Sequence, residues 1–162
     1  MDSKASVNRL PEHSEMPDIQ KANSVEQLRD VRITCQQQLL DLRPKMEFLE
    51  WVASVNSMHD QINRRAAELC EQNMWEADFG RLPARYAFVA FGSIGRQEAT
   101  LWSDQDNGLI IGDEMQGEDL AYFREFGLRL ADMLEVLGYP KCPGRVMCSE
   151  PLWSMRLGDW KN

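Results

Sequence analysis

Two aspartates one residue apart, Asp104 and Asp106, follow the turn sequence Gly92-Ser93-Ile94-Gly95-Arg96 within the stretch Phe91 to Ile111. In an extended segment alternate side chains share a side, so both carboxylates point one way, about 7 Å apart along the chain. Magnesium takes hard oxygen ligands and combines one or two carboxylates with substrate phosphates. Like charges held this close are costly without a cation between them, which is the physical reason to expect Mg2+ or Mn2+ at Asp104 and Asp106. Gln105 then faces away, and Asn107 opens the buried part of a strand.

Gly92 and Gly95 lack side chains, so their backbone amides can approach phosphate oxygens closely. Ser93 adds a hydroxyl donor. Arg96 offers a planar cation for a departing pyrophosphate, or else a surface ion pair with Glu98 or Asp104. Together these residues suit gripping a nucleoside triphosphate and passing its nucleoside monophosphate to an acceptor hydroxyl by in-line attack on the α-phosphorus. The spacing is neither the Gly-x-Gly-x-x-Gly dinucleotide fingerprint nor a Walker loop, which ends in Gly-Lys-Ser/Thr. Ser103 reads equally as a turn-forming hydroxyl or a ligand contact. Trp102 reads as packing, with a base contact as its alternative.

The elements that must position these residues are legible around them. Tyr86 to Phe91 is an apolar, aromatic and branched run read as a buried strand, and Asn107 to Ile111 is a second. Between Glu118 and Leu137 apolar residues recur at helical spacing, with Gly138 as C-cap and Pro140 beyond. Arg145 to Cys148 reads as a third, shorter strand. Upstream, Ser24-Val25-Glu26-Gln27 opens a helix with a capping box, and Val25, Leu28, Val31, Cys35, Leu39 and Leu42 give it one apolar stripe. Pro44 is expected to begin the next helix. From Met46 to Trp75 the helical period returns, as one long helix or two broken near Asn56-Ser57. Residues Gly80 to Pro83 end this half. The expected organisation is a disordered tail over 1–22, a helical hairpin over 23–80, and an α/β or α+β palm over 81–162.

The chain has 162 residues, 43% of them hydrophobic and 27% charged, the composition of an ordinary globular protein. A net charge of −8 opposes non-specific binding to nucleic acid or an anionic membrane surface. No apolar run approaches a membrane span, and Met1-Asp2-Ser3-Lys4 opens no signal peptide. Cys35, Cys70, Cys142 and Cys148 are widely spaced, and His13 and His59 are the two histidines. Reduced thiols in a cytoplasmic protein are therefore expected rather than zinc or disulfides, with Cys142 and Cys148 as small apolar packers. His59 is expected to make an ordinary hydrogen bond from a helix face.

Gly92-Ser93-x-Gly95-Arg96-x-Glu98 followed by Ser103-Asp104-Gln105-Asp106-Asn107 resembles the nucleotidyltransferase-like domain related to the N-terminal part of protein-PII uridylyltransferase. The likeness continues through Gly138-Tyr139-Pro140-x-Cys142-Pro143-Gly144-x-Val146-Met147 to Pro151-x-Trp153 and Trp160. In bacteria such domains accompany cyclic-nucleotide-binding and CBS modules. The resemblance implies a DNA-polymerase-β-like palm and transfer of a nucleoside monophosphate, UMP in that enzyme, onto a signalling protein. It assigns Gly92 and Ser93 to the phosphate-binding turn and Asp104 and Asp106 to the metal pair. Enzymes of this fold use a third carboxylate on a neighbouring strand, expected in this family beyond residue 162. A truncated palm, a nucleotide-binding regulatory module without turnover, and an interaction fragment are the alternatives. An uncovered helical stripe would favour a homodimer. His59-Asp60 lacks the further histidines of a His-Asp hydrolase, which excludes deuridylylation.

Overall fold

The computed structural model describes residues 16–114, 117 and 119–161. Helix α1 (Val25–Leu42) starts where its cap places it: Ser24 Oγ accepts from the Gln27 amide at 3.2 Å, and Gln27 Oε1 accepts from the Asn23 amide at 2.8 Å. Its buried face carries Leu28, Cys35 and Leu39, and also the polar Arg32 and Gln36. The expected tail is corrected for its described part. Residues Ile19–Lys21 form a 3-10 turn capped by Asp18, with Ile19 and Ala22 each 3% exposed and Arg65 Nε donating to Ala22 O at 2.8 Å. Burial of Ile19 supplies the apolar contact that a tail would lack. Residues 1–15 of that tail, His13 among them, lie outside the described residues.

Pro44 sits in a 3-10 turn, Arg43–Lys45, and not at the head of the second helix. Met46 and Glu47 are extended after it, so α2 begins at Phe48 and runs unbroken to Glu76. Twenty-nine residues at 1.5 Å each make a rod of about 43 Å. Asn56 does not break it; the residue stays in the helix, with its side-chain Nδ2 donating to Val52 O at 2.8 Å. The helix closes before Gly80: Phe79 N donates to Met74 O at 3.1 Å and Asp78 N to Trp75 O at 3.2 Å, with Asp78 left-handed at φ 62°.

Strands β1 (Tyr86–Ala90) and β2 (Asn107–Ile111) pair antiparallel, with Tyr86 opposite Ile111 and Ala90 opposite Asn107. The third strand is not Arg145 to Cys148. It is β3 (Ser154–Arg156), parallel to β2, which gives the order β1-β2-β3. Arg145 is left-handed at φ 57° after Pro143-Gly144, which breaks extension. The Asn107 amide and side chain then take the backbone of 146–148: Asn107 N donates to Val146 O at 3.0 Å, and Asn107 Oδ1 accepts from Cys148 N at 2.8 Å.

Helices α1, α2 and α4 (Asp119–Val136) pack on one another, and α4 lies against the sheet. Tyr86 meets Phe123 and Phe126 of α4 with ring centroids 6.0 and 5.2 Å apart. One core cluster runs from Leu28 and Ile62 through Leu130 to Leu109 and Ile111, an α+β arrangement in which hairpin and sheet share their apolar interior. On the other face Phe91, Trp153 and Trp160 gather, their centroids 5.3 to 6.0 Å apart. Among the described residues no helix is long and apolar enough to cross a membrane.

Candidate functional site

After β1 the chain turns at once into α3 (Gly92–Gly95), and each of its two glycines has a steric reason. Gly92 is left-handed at φ 53°, and a methyl group there would overlap Asp106 Oδ2. At Gly95 a methyl group would overlap Ala90 O, and the Gly95 amide is taken by Phe91 O at 2.8 Å. The common purpose expected of both glycines, amides free for a phosphate, is therefore divided. Gly95 closes the turn, whereas the amides of 92–94 head it and, among the described residues, have no acceptor. The turn ends with Gln97 N on Ile94 O at 3.0 Å and Glu98 N on Ser93 O at 2.8 Å, which leaves Gln97 left-handed at φ 58°.

The acidic segment returns beside this turn. Phe91 N donates to Asp106 O at 2.8 Å, Ser93 Oγ and Ser103 Oγ lie 3.4 Å apart, and the Asp106 carboxylate rests over Gly92. Burial alternates along it. Ser103, Gln105 and Asn107 are buried, while Asp104 and Asp106 are half-buried. Gln105 is 2% exposed, with its Nε2 donating to Ala131 O at 2.9 Å and Tyr139 O at 3.0 Å, and its amide to Pro140 O at 2.9 Å. Neither Asp104 nor Asp106 has a hydrogen-bond or ion-pair partner for its carboxylate among the described residues. Arg96 does not approach them; it pairs with Glu98 at 3.0 Å, both side chains largely in solvent. Trp102 stands 68% exposed on the intervening loop.

Side chains from the hairpin hold that loop from behind, and these are the residues that periodicity passed over. Asn56 Nδ2 donates to Gln97 O at 2.8 Å and Asn56 Oδ1 accepts from Ala99 N at 3.1 Å. His59 Nε2 donates to Thr100 O at 2.8 Å, so its Nδ1 accepts from the Tyr139 hydroxyl at 2.8 Å. Gln36 Nε2 donates to Leu101 O. Tyr139 reaches His59 because Gly138, left-handed at φ 95°, closes α4 with Tyr139 N on Leu134 O at 2.9 Å. The Arg32 guanidinium lies 4.2 Å from the Tyr139 ring centroid and donates to Leu137 O at 2.9 Å. Burial, above all, pushes the His59 pKa down from its ordinary value; the Thr100 carbonyl opposes this, and the Arg32 charge adds to it. The available signal was polarity inside an apolar stripe: Asn56, His59 and Asn63 fall among the buried positions of α2.

All four cysteines are free thiols, with Cys35, Cys70 and Cys148 buried and Cys142 half-buried. Among the described residues no group of three or more His, Cys, Asp or Glu side chains is placed to hold a metal; Glu150, the acid nearest the expected third strand, is bound to Arg145 at 2.7 Å. A cavity of about 770 Å³ between α4 and β3, lined by Phe123, Arg124, Met155 and Arg156, does not reach Gly92, Asp104 or Asp106.

A small mixed sheet whose first strand ends in a Gly-Ser turn, with two aspartates leading into the second, is consistent with a nucleotidyltransferase-like domain. Residues 34–162 match the family described as Putative nucleotidyltransferase DUF294, and the chain belongs to that family. The match begins inside α1, at residue 34, and takes in Gln36, Asn56 and His59, whose side chains grip the loop. Comparison with curated proteins and with solved structures finds no match for this chain.

Proposed function

We propose that this chain binds a nucleoside triphosphate with Mg2+ or Mn2+ between the Gly92-Ser93 turn and Asp104 and Asp106, and transfers its nucleoside monophosphate to an acceptor hydroxyl. The observation that carries the reading is the alternation at 104–106: two half-buried acidic side chains, without an ion-pair partner among the described residues, flank Gln105, which is locked into the core. Their hard oxygen donors suit a divalent cation, and the space over Gly92 that a side chain would fill is where Asp106 stands. When bound, the metal neutralises charge on the triphosphate and on the departing pyrophosphate.

The chain's own residues supply the rest. Asp104 and Asp106 would hold the cation, and the amides heading α3, together with Ser93 Oγ, would orient phosphate oxygens. Arg96, at the rim and balanced by Glu98, would meet the pyrophosphate. Positioning and charge neutralisation then carry most of the catalysis of attack at the α-phosphorus. The sequence resemblance extends this to a polymerase-β-like palm of the protein-PII uridylyltransferase type, with UMP as the transferred group and a hydroxyl on a signalling protein as acceptor. Free thiols suit a reducing compartment such as the cytoplasm.

A second reading, a regulatory module that binds nucleotide without turnover, is favoured by one observation: among the described residues no third acidic group joins the pair. One experiment separates the two. The protein is titrated with each of the four nucleoside triphosphates in Mn2+, and pyrophosphate release is followed with and without a protein acceptor. Release that vanishes in Asp104→Asn and Asp106→Asn is the transferase outcome, and tight binding without release is the module. Wild-type protein that binds no triphosphate refutes both.

A further inference from the structure

We propose that Asn56 and His59 are positioning residues, setting where Asp104 and Asp106 stand by gripping the backbone of residues 97–100; the inference rests on reading that site as a triphosphate site. The segment joining α3 to β2 belongs to no ladder, yet its peptide groups need partners where they are buried. On the helical side those partners are side chains. Asn56 takes Gln97 O and Ala99 N, and His59 takes Thr100 O. The two residues are three apart on α2 and so share a face, which matches them to neighbouring peptides of one short segment. Both are sealed from solvent, Asn56 at 1% and His59 at 0% exposure.

The far end of the segment is held the same way, by Gln105 on Ala131 O and Tyr139 O. Asp104 thus stands between two sets of buried polar anchors, with Trp102 at the free apex, and Asp106 follows directly on the second. Tyr139 belongs to both sets: its hydroxyl orients His59, and its carbonyl receives Gln105. Asn56 also bonds the carbonyl of Gln97, a non-glycine residue in the left-handed region, and so adds to the turn's own closure of that conformation. Packing alone does not call for these groups, since Val55, Met58 and Ile62 supply the apolar contacts of the same helix face. Donors and acceptors aimed at one loop fix its position to within a hydrogen bond, the tolerance a metal pair requires.

The test is hydrogen exchange of the full chain combined with affinity for each of the four nucleoside triphosphates with Mn2+, for wild type, Asn56→Leu, His59→Leu, His59→Gln and Tyr139→Phe. Expected is at least ten-fold faster exchange confined to residues 97–105 in both leucine variants, with α4 amides unchanged and affinity at least ten-fold weaker. His59→Gln, which keeps a donor for Thr100 O, should recover most of both losses. Should the leucine variants unfold, Tyr139→Phe decides: faster exchange limited to the segment with weaker binding supports the proposal, and wild-type affinity overturns it. Leucine variants that loosen the segment yet bind as wild type, or weaken binding without loosening it, also overturn it. A wild-type chain that binds none of the four nucleoside triphosphates with Mn2+ instead overturns the site reading beneath it.

Discussion

Replacing Gly92 by alanine tests the link between the turn and the acidic pair. Two costs add. An L-residue held at the Gly92 φ of 53° costs about 1–2 kcal/mol. The new methyl group also overlaps Asp106 Oδ2 and crowds Cγ and Cβ at 3.0 and 3.2 Å, so rotating the carboxylate alone does not clear it. Overpacking of this kind costs about 1–3 kcal/mol, which brings the total to about 2–5 kcal/mol. Gly80→Ala is the built-in control: Gly80 is left-handed at φ 86° with nothing within 4 Å of an added methyl group, so it carries the first cost alone. Urea unfolding followed by tryptophan fluorescence measures both. Adding Asp106→Ala to Gly92→Ala removes the overlapping carboxylate, so the double-mutant cycle should show coupling of about 1–2 kcal/mol. If Gly92→Ala costs no more than Gly80→Ala, or the cycle shows no coupling, the carboxylate does not stand on the turn and the argument fails.

Other expectations follow from the buried polar groups and thiols. The unfolded chain protonates His59 near 6.5, whereas burial holds the folded imidazole neutral to lower pH, so the unfolded state binds more protons between those values. With Arg32, Asp60 and Tyr139 around it, His59 should make wild type lose stability relative to His59→Gln as pH falls below about 6.5; urea midpoints whose difference is constant from pH 8 to 5 would refute this. Gln105→Leu deprives Ala131 O and Tyr139 O of a donor, at about 2 kcal/mol. At this chain size that lowers Tm by roughly 4–8 °C, and an unchanged melting curve would count against the anchor. Burial pushes the Cys70 and Cys148 thiols up to about 12 and raises Cys35, so a disulfide reagent at pH 8 should modify one thiol per native chain, Cys142, and all four after unfolding. Two or more fast thiols in the native protein would contradict that burial.

Much of the fold was legible because its signals are local. The aromatic and branched run at Tyr86, the reciprocal cap at Ser24, and Gly138 after the α4 stripe each act through neighbours a few residues away. The third strand was not legible. Arg145 to Cys148 has strand-like composition, but its backbone is taken by the Asn107 amide and side chain, whereas Ser154–Arg156 is three residues long and exists only through pairing with β2. Tail residues Ile19 and Ala22 look unpatterned until α2 lies across them.

The same division holds at the site. Alternation along 104–106 and two glycines at a strand end are properties of adjacent residues, and sequence alone determined them because steric and pleat rules act over one or two peptide units. Only the tertiary structure decided that Asp106 rests over Gly92, that Arg96 turns to Glu98, and that Asn56 and His59 hold a loop 41 residues away. A buried polar side chain takes whichever unpaired backbone group the chain's crossing brings within 3 Å, and no periodicity along the sequence encodes that meeting.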